Sequence, residues 1–105
     1  MDVKPLSSAR IFEYEVLGDQ KHAIGIVEGI WTSEPQERLQ YIGVSTGVLG
    51  GDMHAIPVSE DDIDDATRTV HTSFTVKQVT GAPVVTLHEK LTPQKKQAIN
   101  GYYRQ

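Results

Sequence analysis

Alternation of apolar and polar side chains organises the first three-quarters of the chain. Over residues 11–17, Phe12, Tyr14 and Val16 alternate with Glu13 and Glu15. That period of two, with one apolar and one acidic face, predicts a half-buried strand. Residues 18–21 then read as a turn. The strongest apolar run is 23–32, where Ile24 and Ile26 keep one phase while Val27, Gly29 and Trp31 keep the other. Such a phase change predicts a bulge or sharp bend inside the strand, eased by Gly25 and Gly29. Residues 33–36 form a polar turn, so 38–46 is expected to return as the hairpin partner. That partner is apolar on both phases, Leu39 and Tyr41 on one, Ile42 and Val44 on the other. The glycine-rich stretch 47–51 reads as a loop and 53–58 as a strand ending near Pro57. A last strand is expected over 68–74, with Val70, Thr72 and Phe74 in phase. Phe12, Val27, Val44 and Val70 are the expected core, one from each of four strands.

Three helix starts follow from capping chemistry. Ser59 with Asp62 fits a capping box, and Val58 with Ile63 its hydrophobic staple. Thr75 with Gln78 repeats the device, stapled by Phe74 and Val79, and Gly81-Ala82-Pro83 ends that helix. Thr92-Pro93 fits an N-cap with proline at the first helical position, opening a helix to about Tyr103. The sum is an all-β expectation: a small antiparallel β-barrel of five to six strands, with short helical turns and a C-terminal helix. Residues 10–90 form the barrel domain, and 91–105 a helical tail that packs on the barrel or on a partner.

Composition narrows the function. At 105 residues the chain should bury somewhat over ~60% of its unfolded surface, enough for a modest core. There is no cysteine, hence no disulfide, thiolate metal site or cysteine nucleophile. Residues 1–6 carry no apolar leader, and no apolar run approaches the ~18 residues of a membrane span. A soluble cytoplasmic protein is the expectation. A net charge of −4 argues against a general phosphate-backbone binder.

Candidate chemistry is sparse. Glu60, Asp61, Asp62, Asp64 and Asp65 form an acidic cluster that suits a hard cation by donor type but not by EF-hand spacing. Acids opening a helical turn are favoured there by the helix dipole. His22, His54, His71 and His88 are scattered, with no pair at zinc-motif spacing on a helix. The loop 47–51 lacks the Gly-Lys-Ser/Thr of a phosphate loop. No catalytic residue, cofactor or metal is expected.

The order of these pieces resembles the PRC-barrel family, named for the cytoplasmic barrel of the photosynthetic reaction centre H subunit. The carriers are Ile24-Gly25-Ile26-Val27-Glu28, Arg38-Leu39-Gln40-Tyr41-Ile42-Gly43-Val44, the glycine-rich loop, and Ile56-Pro57-Val58-Ser59. Ala82-Pro83, Leu91-Thr92-Pro93 and Tyr102-Tyr103 extend the likeness, which spans 12–103. One departure is Thr32-Ser33-Glu34, where the family usually closes the second strand with aspartate. The resemblance implies a barrel used for assembly and docking, as in the reaction centre and in a ribosome-maturation factor that holds a ribosomal protein, and it implies no catalysis within the barrel.

The resulting expectation is a non-enzymatic interaction module that forms a homodimer. A 105-residue barrel has little with which to cover the second apolar phase of 38–46, and a second copy across a two-fold axis is one source of cover. The helix 93–103 is the other, and would leave a monomer. Trp31, Tyr41, Ile42, Tyr102 and Tyr103 are the expected partner-facing residues, tyrosine combining area with a polar tip. Lys90, Lys95, Lys96 and Arg104 make the tail basic against the acidic 60–65. That tail, with the tyrosines, is the basis of a rival reading as an RNA- or ribosome-associated protein, which the acidic total disfavours. A small-ligand or metal-binding barrel mouth is the third reading.

Overall fold

A computed structural model describes residues 8–33, 37–46 and 52–104. Residues 1–7, positions 34–36 of the expected turn, the glycine-rich loop 47–51 and residue 105 lie outside the described residues. Among the described residues there are seven strands: β1 (Glu15–Leu17), β2 (Ala23–Ser33), β3 (Arg38–Ser45), β4 (Met53–Pro57), β5 (Ile63–Asp64), β6 (Thr69–His71) and β7 (Val84–Val85). Two α-helices, α1 (Val76–Thr80) and α2 (Pro93–Tyr103), follow β6 and β7. The strands make one sheet in the order β5-β6-β1-β2-β3-β4-β7.

The sheet-dominated architecture is as expected, but its details differ. β1 and β6 pair in parallel, while the other neighbours are antiparallel, so the sheet is mixed. The ladder ends at β5 and β7 and is not closed into a barrel. The strand count exceeds five to six because β5 and β7 are two residues each, too short to show a period.

The phase change in β2 has the expected cause. Val27 pairs with Val44 and Gly29 with Gly43, leaving Glu28 as a bulge. A second bulge falls on β3, where Tyr41 faces Trp31 and Leu39 faces Thr32, leaving Gln40 unpaired. The bulges let residues three apart share a face, so Val27 sides with Ile30, and Leu39 with Ile42. β3 is buried on both faces: Leu39, Ile42 and Val44 enter the main core with Val16, Ile24, Val27, Ile56 and Val70, while Tyr41 joins a second cluster with Met53, Ala55, Val85, Leu91 and Ile99. Gly43 lets that second face close tightly: a Cβ there would lie 2.5 Å from Met53 Sδ and 3.1 Å from the Trp31 ring, so the flexible Met53 side chain would have to shift.

The cover for the second face comes from the chain itself. Thr92 Oγ1 accepts the Lys95 N–H at 3.1 Å and starts α2 at Pro93, as expected. α2 buries Ile99 on the second cluster. The box at Thr75 is also as expected, reciprocal at 2.8 and 3.1 Å. At Ser59 the backbone N–H donates to Asp62 Oδ2 at 2.9 Å, closing a 3-10 turn over Glu60–Asp62.

One core expectation is overturned. Phe12 is 45% exposed and Ile11, at 0%, takes the core position. Residues 11–14 do not run as a strand: a 3-10 turn spans Ser8–Ile11 and Glu13 adopts φ 72°, the left-handed region. Its N–H donates to the Val27 carbonyl at 2.8 Å, which locks the turn and sends Phe12 outward. Val27, Val44 and Val70 are fully buried. Val44→Ala is expected to cost about 1–3 kcal/mol through lost burial and a residual cavity. Chemical denaturation checks it, and an unmoved midpoint would remove β3 from the core.

Candidate functional site

The five residues expected to face a partner are largely spent on internal packing. Ile42 is fully buried in the main core, so it offers no surface. Tyr41 is buried under α2 and its hydroxyl donates to Asn100 Oδ1 at 3.0 Å. Trp31 is half-buried, its indole N–H donating to the Glu89 carbonyl at 2.6 Å. Tyr102 and Tyr103 are both half-buried and meet edge-on, centroids 5.1 Å apart. Their hydroxyls donate to the carbonyls of Gln78 and Ala55 respectively, at 2.5 and 2.6 Å. Burial pushes the Tyr103 hydroxyl well above the ordinary tyrosine range, with Tyr102 adding to the effect.

The basic tail is likewise partly engaged. Lys95 Nζ donates to the Val84 carbonyl at 2.8 Å and pairs with Glu89 at 3.4 Å, while Lys96 Nζ reaches Gln40 Oε1 at 3.3 Å. The acidic turn holds the N-terminal segment: Arg10 Nε lies 2.9 Å from Asp65 Oδ1, Tyr14 donates to the same oxygen at 2.8 Å, and Ser8 donates to Glu60. The Arg10 hydrogen bond, followed by that of Tyr14, holds the Asp65 carboxyl below its usual range. Among the described residues no group of three or more His, Asp, Glu or Cys has metal-binding geometry. His71 Nε2 sits 2.9 Å from Thr69 Oγ1, and His54 Nδ1 lies 3.0 Å from the Ala82 carbonyl, on separate strands.

What the fold leaves open is an apolar groove of about 620 Å³ on the second face of the sheet. Ile26, Ser45, Met53 and Val85 stand in register across β2, β3, β4 and β7, so their side chains point to one side. Val27, Met53 and Val85 are its buried lining residues, with Met53 and Val85 making the floor and the Val27 side chain turned into the main core; Phe12, Ile26, Val84 and Leu87 are the exposed ones, its walls. Five large apolar side chains are exposed among the described residues, and these walls are four of them, Leu87 the most at 58%. Convergence of exposed apolar area in one concavity marks an interaction site, whereas isolated exposed apolar residues mean nothing.

Two non-glycine residues in left-handed conformation display the most exposed pair. Glu13 turns Phe12 out, and His88, at φ 68°, follows Leu87 in a tight turn. That turn is closed by the Glu89 N–H on the Thr86 carbonyl at 3.0 Å and by the Thr86 N–H on Glu89 Oε1 at 2.9 Å. Holding such residues left-handed costs roughly 1–3 kcal/mol each, and surrounding bonds must enforce it. Here they are the Val27 contact for Glu13 and the Glu89 carboxylate for the 86–89 turn. Glu89 also accepts from Trp31 and pairs with Lys95, tying the groove wall to β2 and α2.

The rim is acidic. Glu13, Glu28 and Asp52 line the groove, exposed, with no Lys, Arg or His beside them in the lining. None of the three has a cationic partner among the described residues, unlike Glu60, Asp65 and Glu89. Sequence reading missed this site. Phe12 was expected in the core, Ile26 lay in a phase shared with buried Ile24, and Val84 and Leu87 fell in a stretch with no period. The one sequence signal was the phase change in β2, which leaves Ile26 on the face opposite Val27. No protein-family model matches the chain, and no curated protein is significantly similar to it. Among the described residues no helix is long and apolar enough to cross a membrane.

The Glu89 carboxyl is held below its ordinary value of 4.5, chiefly by the Thr86 backbone N–H and then by Lys95. A depressed folded-state value means the contribution to stability is present above the unfolded value and lost as pH falls through the folded one. Glu89→Gln is therefore expected to flatten the acid limb of a melting-temperature profile taken from neutral pH downward. An acid limb identical to wild type would show that Glu89 does not hold the groove wall.

Proposed function

We propose that this chain is a non-enzymatic, PRC-barrel-like interaction module that docks a protein partner in the groove walled by Phe12, Ile26, Val84 and Leu87. The observation that carries the reading is that four of the five exposed large apolar side chains among the described residues converge there. The groove lining is apolar and carboxylate apart from one threonine, Thr86, a composition suited to docking. The link to the PRC-barrel family rests on the order of motifs along the sequence. Barrel closure is part of that proposal and would need β5 and β7 to approach one another.

The ground for self-association has moved. The second apolar phase of β3 was one reason to expect a second copy, and α2 with Leu91 now supplies that cover. Any contact between copies therefore has to use other surface, of which the groove is the main apolar part.

A photo-crosslinking side chain at position 87, compared with one at Val76, tests the reading in the source cell. Val76 is also exposed, at 38%, but lies outside the groove. A protein adduct confined to position 87 is expected. Equal crosslinking at both positions, or none at either, would contradict a docking groove. An adduct of twice 11.6 kDa would name the partner as a second copy.

A further inference from the structure

The groove has a charge as well as a shape, and together they select an occupant. Its floor is apolar, made by Met53 and Val85, while Glu13, Glu28 and Asp52 stand exposed around it. Three carboxylates, no cation in the lining, and no counter-ion among the described residues leave an unneutralised acidic rim. Three other acids are matched within the chain: Arg10 serves Glu60 and Asp65, and Lys95 serves Glu89. Complementary potentials across an interface steer encounter and reject wrong partners, and like charges brought together cost several kcal/mol.

Resting on the docking reading above, we infer that the occupant is a polypeptide segment with a short apolar centre flanked by lysine or arginine. The in-register row from Ile26 to Val85 crosses three strand gaps, roughly 14 Å at about 4.8 Å each, which matches about four residues of extended chain. The apolar centre fills the space between the Phe12 and Ile26 walls and the Val84 and Leu87 walls. The flanking cations meet Glu13, Glu28 and Asp52. A second copy seated groove to groove is disfavoured by the same rim, because a two-fold contact places each carboxylate set against its own image. Nucleic acid and anionic lipid are repelled for the same reason.

Selection of a display library of short random peptides on the full chain tests the inference. Peptides with an apolar centre and basic flanks are expected to be enriched, and to weaken as salt rises. The triple variant Glu13→Lys, Glu28→Lys, Asp52→Lys, first shown to melt as the wild type does, should bind those peptides roughly tenfold or more weakly, since three rim pairs are lost and reversed. Selection on that variant should turn to acidic flanks. Leu87→Asp should abolish enrichment of either kind. Enriched peptides without charge bias, or binding unchanged by the triple reversal, would overturn the basic-segment inference and leave the docking groove standing. No enrichment over Leu87→Asp, with a mass of twice 11.6 kDa by sedimentation, would overturn it in favour of a second copy. Loss of position-87 crosslinking would instead bring down the docking reading itself.

Discussion

β3 has no polar face. Leu39, Ile42 and Val44 look to one side and Tyr41 and Gly43 to the other, and all are buried. β4 shares the condition, with Ile56 on one side and Met53 and Ala55 on the other. A central strand with apolar side chains on both faces must be covered twice, because apolar area left in water forfeits about 25 cal/mol per Å². The first face is closed by β1, β6, α1 and the segment ending at Ile11. The second is closed by α2 and the segment around Val85 and Leu91. An eleven-residue helix is only about 16 Å long, and α2 contributes a single fully buried side chain, Ile99. The Ile26 end of the in-register row is the part of that face left open, and no residue of α2 lines the groove.

α2 is held by polar anchors as well as by apolar contact. Tyr41 on Asn100, Tyr103 on the Ala55 carbonyl, Tyr102 on the Gln78 carbonyl and Lys96 on Gln40 each cross from helix to body. Each such bond contributes on the order of 1 kcal/mol net, and together they fix the helix in one position. Lys95 extends the system to Glu89 and the Val84 carbonyl, so the helix start and the groove wall share a clamp. The tyrosines that look like interface residues from their chemistry are the pins of this arrangement. Phe74 packs on Tyr103 with its ring tilted by 38° and the centroids 4.3 Å apart, and completes it.

Sequence made some of this readable because local chemistry decides it. The phase change in 23–32 predicted a bulge or bend within that strand, and threonine-based caps located both α-helices, since each device needs only residues three or four apart. The groove was not readable, for a different reason. Phe12 and Ile11 are adjacent and equally apolar, and which one enters the core is set by the left-handed turn at Glu13, a residue type that seldom signals one. β7 is two residues long and is defined by its pairing with Met53 and His54 rather than by any pattern of its own. Whether the second phase of β3 meets a helix or a partner depends on where the last eleven helical residues dock, which no local pattern encodes.

On the docking reading proposed above, the open end of the second face is covered in the cell by another protein. Hydroxyl-radical footprinting of Phe12 and Leu87, in intact cells and in the purified chain, addresses that directly, with Val76 as the exposed reference outside the groove. Labelling of Phe12 and Leu87 should fall in cells relative to the purified chain while that of Val76 stays level. Equal labelling of all three residues in both settings would contradict the account.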